Sequence, residues 1–215
     1  MPTGQEYAQA LRDLVEYTEN ISNEVVEDFD IEGDDGNNYN GYWCDHGGNS
    51  YRIIGTQEDE FFRVQYFYDL IGEFAERQAI EEAGDPDDVS DQDIDREAAI
   101  AILSDQAQEN PEDYANLNSN LRQLIRNPSP TGYTIDANEY GVVRNFRVEH
   151  MIFIYEDGFT ISDYHEAVQR VVSTGLPGRR FLRDSFGILD PLNVDDGSSD
   201  TSEDVEESEP PRYFS

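Results

Sequence analysis

Trp43, Cys44, Asp45 and His46 place a thiol, a carboxylate and an imidazole side by side, the most reactive-looking stretch of the chain. A thiolate attacks a carbonyl carbon once a neighbouring base has taken its proton, so Cys44 and His46 are a candidate nucleophile and base for a small hydrolase or metal-dependent enzyme. On a strand, Cys44 and His46 point to one face and Asp45 to the other, and no oxyanion donor is identifiable beside them. A small core cysteine and a turn-flanking histidine account for the same residues. His46, His150 and His165 each stand alone, without the short paired spacings of a zinc site. The run Asp28, Asp30, Glu32, Gly33 begins like a calcium loop and then fails, because the twelfth position is Tyr39 where a bidentate glutamate is needed. The acidic loop around Asp34 and Asp35 reads as solvated, with sodium or potassium loosely held on the surface. No catalytic residue, metal ligand or cofactor is assigned.

The chain has no lysine, which removes the phosphate-binding lysine of P-loops and kinases and every Schiff-base lysine. Gly-rich dinucleotide loops and a Gly-x-Ser-x-Gly elbow are absent as well. Recognition surfaces remain. Phe61 to Tyr68 is rich in aromatics, and Phe61, Tyr66 and Tyr68 are candidates for an exposed patch, since aromatics anchor protein interfaces. Half of that run must nevertheless face a core. Arg179, Arg180 and Arg183, interleaved with Phe181, Leu182 and Phe186, are the only dense cationic cluster. One helical turn sets Arg179 or Arg180 beside Arg183, so Arg179, Arg180, Arg183 and Phe186 are candidates for a partner-binding or dimer-forming helix. The competing explanation is that these arginines pair with the protein's own carboxylates.

The elements that must position these groups can be read from periodicity. Tyr7, Leu11, Leu14, Val15, Thr18 and Ile21 recur at three- and four-residue steps and predict a first helix. A strand is a candidate at Glu24 to Ile31. Tyr42 to Asp45, Tyr51 to Ile54 and Phe61 to Tyr68, joined by Gly-rich loops, predict hairpin strands. Ile71, Phe74, Ala75 and Ala79 predict a helix ending near Gly84, followed by helices from Ile94 to Leu103 and from Pro111 to Ile125. Tyr133 to Ala137 and Val142 to Tyr155 read as strands, the second central. Thr160 and Asp163 resemble a capping box for a last helix that buries Tyr164, Ala167, Val168, Val171 and Val172 and stops at Gly175. The expected fold is α+β, a mostly antiparallel sheet of about five strands packed by helices. Residues 1–189 are expected to form one domain with a helical insertion at 91–127, and 190–215 a disordered acidic tail; Tyr213 and Phe214 at its end read either as a remnant that tucks onto the domain or as a short docking segment.

Fourteen arginines stand against 48 aspartates and glutamates, a formal charge of -34 over 215 residues, while 37% hydrophobic and 12% aromatic residues suffice for a real core. Carboxylates stay hydrated in concentrated salt, where the apolar stem of a lysine is driven to stick. The pattern resembles the acidic proteins of halophilic archaea, whose cytoplasm holds molar KCl. Screening at that ionic strength weighs against an acidic mimic of nucleic acid, and the lack of a basic stripe weighs against nucleic-acid binding. No segment of the chain approaches the roughly 18 apolar residues of a membrane span, no signal peptide is seen, and one cysteine forms no internal disulfide. A cytoplasmic protein is expected, without membrane contact.

The order of elements from Gly4 to Gly175, carried by Tyr7 to Ile21, Tyr51 to Ile54, Phe61 to Tyr68, and Met151 to Tyr155 running into the helix Thr160 to Val172, resembles the small α+β fold of the type III secretion chaperone and YbjN-like superfamily. That resemblance implies a dimer-forming, peptide- or protein-binding module without catalytic residues. The expected function is thus chaperone-like or adaptor binding of a protein or peptide partner, with homodimerisation as a further expectation.

Overall fold

Thr3 opens the first helix as a reciprocal cap: its hydroxyl accepts from the Glu6 N–H at 3.3 Å, and the Glu6 carboxylate accepts from the Thr3 N–H at 2.7 Å. Helix α1, Gly4–Asn20, follows and buries Tyr7, Ala10, Leu14 and Thr18 along one stripe. The computed structural model describes residues 2–21, 23–32, 36–85, 89–90, 94–126, 131–156 and 158–188. After α1 come β1 (Glu24–Glu32), β2 (Asn38–Asp45), β3 (Ser50–Gly55), β4 (Phe62–Asp69), α2 (Leu70–Ala83), α3 (Arg96–Glu109), α4 (Pro111–Leu124), β5 (Thr131–Ala137), β6 (Val143–Ile152) and α5 (Ile161–Ser185). The fold is α+β, as expected, with six strands in the order β1-β2-β3-β4-β6-β5. The sixth is the strand at Glu24–Glu32, whose edge position is guarded by Glu24, Glu27, Asp28, Asp30 and Glu32; charge along an edge resists pairing with another chain. Tyr213, Phe214 and the acidic segment 190–215, expected to be disordered, lie outside the described residues, as do Asp34 and Asp35.

The described chain divides into two compact units. The first holds residues 1–69, 122–136 and 145–179, and therefore most of the sheet, α1 and the greater part of α5. One face of its sheet buries Cys44, Tyr51, Ile53, Phe62, Val64, Tyr66, Phe146, Val148 and Ile152. Against this face α1 stacks Tyr7 on Phe62, with ring centroids 5.4 Å apart, and α5 buries Tyr164, Ala167, Val168, Val171 and Val172. Thr160 caps α5 as its spacing predicts: its N–H and hydroxyl donate to the Asp163 carboxylate at 2.8 and 2.7 Å.

The second unit holds, of the described residues, those of 70–121, 137–144 and 180–188. Ile71, Ala75, Ala99, Leu103, Ala107, Tyr114 and Val142 make its core, with Phe74, Ile94, Ile100 and Phe186 packed against it. Its β5–β6 connection is held to the helices by Asn138, which donates to Ser104 Oγ at 2.9 Å, and by Asn118, which donates to the Gly141 carbonyl at 2.6 Å.

Helix α5 does not stop at Gly175. It runs on through Pro177 to Ser185. The glycine that reads as a terminator is instead a point of close approach, because a Cβ there would lie 2.2 Å from Cδ1 of Tyr66. Pro177 removes one N–H, the donor that would reach the Ser173 carbonyl, and the apolar residues buried before and after it keep the chain helical. Among the described residues, no helix is long and apolar enough to cross a membrane.

Candidate functional site

The two sides of the sheet differ in chemistry. On the face opposite Tyr51 and Phe62, register aligns Trp43 of β2 with Arg52 of β3, Arg52 with Gln65 of β4, and Gln65 with Glu149 of β6; in the next row Phe67 lies opposite Arg147. Strand alternation puts all of these side chains on one surface. The Arg52 guanidinium is 5.5 Å from the Trp43 ring and 5.2 Å from the Phe67 ring, a cation held between two aromatic faces. Its Nε donates to Gln65 Oε1 at 2.8 Å, and Gln65 Nε2 donates in turn to Glu149 Oε2 at 2.8 Å.

Those bonds leave donors over. The Nη groups of Arg52 have no acceptor among the described residues. Arg147 Nε, shielded from water, has no hydrogen-bond partner and stands 4.0 Å from the Glu149 carboxylate, beyond bonding distance. The proton affinity of Arg52 is lowered, first by burial and then by the neighbouring charge of Arg147, with Glu149 opposing. Arg63 continues the strip, its guanidinium 4.9 Å from the Phe61 ring, and Phe61 packs on Phe153 at 5.9 Å. Phe29 packs on Trp43 at the other end, 6.2 Å away. The whole is an aromatic surface threaded with guanidinium groups, in a chain whose formal charge is -34.

Of the residues that sequence singled out for binding, Phe61 belongs to this surface. Tyr66 and Tyr68 do not: they alternate to the inner face and are 2% and 6% exposed, packing on Phe146 and, for Tyr66, under Gly175. Two arginines of the cluster, Arg179 and Arg183, are engaged within the fold. The Arg179 guanidinium sits 5.8 Å from the Tyr68 ring, and Arg183, 8% exposed, pairs with Glu73 at 3.2 Å. Phe186 meets Phe74 edge-on at 6.4 Å, while Arg180 is exposed. Arg52 and Arg147 lie 95 positions apart in the sequence, and only strand register brings them to one face.

The reactive-looking trio is also separated. Cys44 is fully buried, and burial pushes its thiol up to about 11, so it is not a nucleophile at neutral pH. Asp45 accepts from the Gly48 N–H at 2.9 Å, stabilising a two-residue turn in which Gly47 and Gly48 have φ of 59° and 80°. His46 opens that turn and points elsewhere, its Nδ1 lying 2.7 Å from Asn23 Oδ1.

Asn23 starts a buried polar chain. Its Nδ2 donates to Tyr51 Oη at 2.9 Å; Tyr51 Oη is 3.0 Å from Tyr164 Oη, which is 2.7 Å from Thr18 Oγ1, and Thr18 donates to the Leu14 carbonyl at 2.8 Å. Burial raises both phenols, Tyr51 to about 12 and Tyr164 further, so each stays a neutral donor and acceptor. No group of three or more metal-ligating His, Cys, Asp or Glu side chains occurs among the described residues.

No family model matches the chain, and no curated protein matches it. Among solved structures, the fold is similar to that of an uncharacterized protein from Methanothermobacter thermautotrophicus, with a TM-score of 0.50 and 12% sequence identity; the match covers 83% of this chain and 99% of that one. At that identity the likeness concerns the fold alone.

Proposed function

We propose that the chain is a non-enzymatic binding module, chaperone-like or adaptor in character, that holds an extended acidic segment of a protein partner on the outer face of its sheet. One observation carries this reading: on the outer face of the sheet the Arg52 guanidinium is held between Trp43 and Phe67, its Nη groups without an acceptor among the described residues, and Arg147 stands opposite Phe67 on the same face. A carboxylate accepts two parallel bonds from a guanidinium fork, and the rings beside it exclude water from those bonds. Duplex nucleic acid, with a charge every ~1.7 Å, meets the repulsion of the entire acidic chain, whereas a peptide brings only a few charges.

The setting we propose is the salt-rich cytoplasm of a halophile. Long-range attraction is short-lived there, since the Debye length falls to about 3 Å at 1 M salt. Contacts made at a partly buried, hydrogen-bonded guanidinium are screened much less, so recognition by this face persists where steering does not. Homodimerisation, which the chaperone resemblance implies, would leave the same surface available or cover it, and light scattering with and without peptide separates the two.

Trp43 is the single tryptophan of the chain, so its fluorescence reports on this face. Titration of Glu- and Asp-rich synthetic peptides in molar KCl is expected to shift Trp43 emission saturably. Arg52→Gln and Arg147→Gln are each expected to weaken binding about tenfold or more, in line with the roughly 1.5–3 kcal/mol of a charged hydrogen bond. Unchanged affinity in both variants, or a preference for a single-stranded RNA of equal length, would overturn the proposal.

A further inference from the structure

On the inner side of the sheet unit, the β2–β3 turn and α5 enclose an open cleft of about 670 Å³ lined by His46, Gly47, Asn49, Glu166, Gln169, Arg170, Val172, Ser173 and Leu176. That volume is within the range of small-molecule sites, about 300–1,000 Å³. What the cleft binds depends on which nitrogen of His46 bears its proton, and the buried polar chain decides that.

The Leu14 carbonyl can only accept, so the Thr18 proton goes to it. Tyr164 must then donate to Thr18, Tyr51 to Tyr164, and Asn23 Nδ2 to Tyr51. Asn23 is thereby oriented with Oδ1 toward His46, and this acceptor, 2.7 Å away, requires a proton on Nδ1. Running the chain in the opposite sense forfeits the bond from Thr18 to Leu14, so the tautomer assigned from the network is the one that satisfies every member. Neutral His46 therefore carries its proton on Nδ1 and keeps a lone pair on Nε2, which has no partner among the described residues.

The amides of the lining add acceptors, beside the remaining N–H donors of Arg170 and Gln169. Asn49 spends its Nδ2 on the His46 and Gly47 carbonyls, leaving Oδ1 free, and Gln169 spends its Nε2 on His165, leaving Oε1 free. Glu166 and Arg170 are paired with each other, so their charges cancel. Several acceptors, no net charge and the apolar side chains of Val172 and Leu176 suit a ligand that is rich in hydroxyl donors, uncharged and partly C–H in surface. We propose that this cleft binds a small polyhydroxyl molecule of monosaccharide size, with His46 Nε2 accepting one of its hydroxyl protons. The site is independent of the peptide reading, since it lies on the opposite side of the sheet from Arg52.

Long-range 15N–1H spectra of the imidazoles, recorded at a pH above the ordinary range of histidine, read the tautomer directly. His46 is expected as Nδ1–H, and glucose, ribose or inositol is expected to shift its Nε2 resonance together with the side-chain amides of Asn49 and Gln169. Gln169→Leu, at an exposed position, should weaken polyol binding about three- to tenfold without changing the tautomer, as loss of one neutral hydrogen bond does. An Nε2–H tautomer overturns the assignment. Failure of all three polyols to move His46, or a response to spermidine alone, overturns the ligand class.

Discussion

Gly175 of α5 lies directly over the ring of Tyr66 in β4, so closely that a Cβ on the glycine would stand 2.2 Å from Cδ1, 2.5 Å from Cγ and 2.7 Å from Cε1. Two effects of Gly175→Ala oppose each other. Alanine favours the helix by about 1 kcal/mol. The methyl, however, meets the near edge of a ring that is 2% exposed and cannot swing away, and overpacking of this kind costs about 1–3 kcal/mol. The clash wins, and Gly175→Ala should lower the midpoint of urea unfolding with little change in slope. An unchanged or raised midpoint would show that the helix and strand can separate at no cost.

Cys44 has lost the reactivity its neighbours suggest. With its thiol fully buried and raised to about 11 by that burial, the thiolate is scarce in the folded protein at pH 8. Alkylation by iodoacetamide at pH 8 should therefore be slow in the native protein and fast in urea, with native labelling limited by opening of the sheet. Native labelling as fast as that of a free cysteine peptide would restore a nucleophilic role.

The fold was more legible than the site, for a physical reason. Helices and strands declare themselves by local period, and Thr160 with Asp163, or Gly47 with Gly48, carry their cap and turn in adjacent residues. Gly175 reads as a helix stop and is none, because local punctuation gave way to tertiary packing: the missing Cβ serves Tyr66, which lies more than a hundred residues earlier. Tyr66 and Tyr68 misled through parity, since both alternate inward while Phe67 alternates outward. Arg52 and Arg147 could not be paired from sequence at all, because their proximity rests on β6 lying beside β4, a pairing that spans the helices α2 to α4.

His150 should make stability fall on acidification. Its folded value is lowered below 6.5, chiefly by burial, then by the charge of Arg170, with Glu166 opposing. The unfolded chain therefore binds the proton more readily, so this contribution is complete above about 6.5 and is lost as pH drops from there through the lowered folded value. Unfolding of wild type and His150→Gln, compared at matched salt from pH 8 to pH 5, should show the smaller loss in the variant. Equal losses would assign the acid sensitivity to the carboxylates alone.

Salt should act on the whole chain. At a formal charge of -34, surface carboxylates repel one another across a Debye length of about 8 Å in physiological salt, and about 3 Å at 1 M. Repulsion of this kind is a property of net charge, so KCl and NaCl should stabilise alike through screening, whereas a salting-out contribution to burial would make sulfate markedly better than chloride at equal ionic strength. Thermal unfolding is expected to rise steeply between dilute buffer and 1 M KCl and then flatten, as screening saturates. Neutralising five exposed acids of the β1 edge (Glu24→Gln, Glu27→Gln, Asp28→Asn, Asp30→Asn and Glu32→Gln together) should raise stability in dilute buffer and leave it nearly unchanged in 1 M KCl. A gain of equal size in both solutions would mean that those side chains act locally at the strand edge, and the halophilic reading of the composition would lose its physical basis.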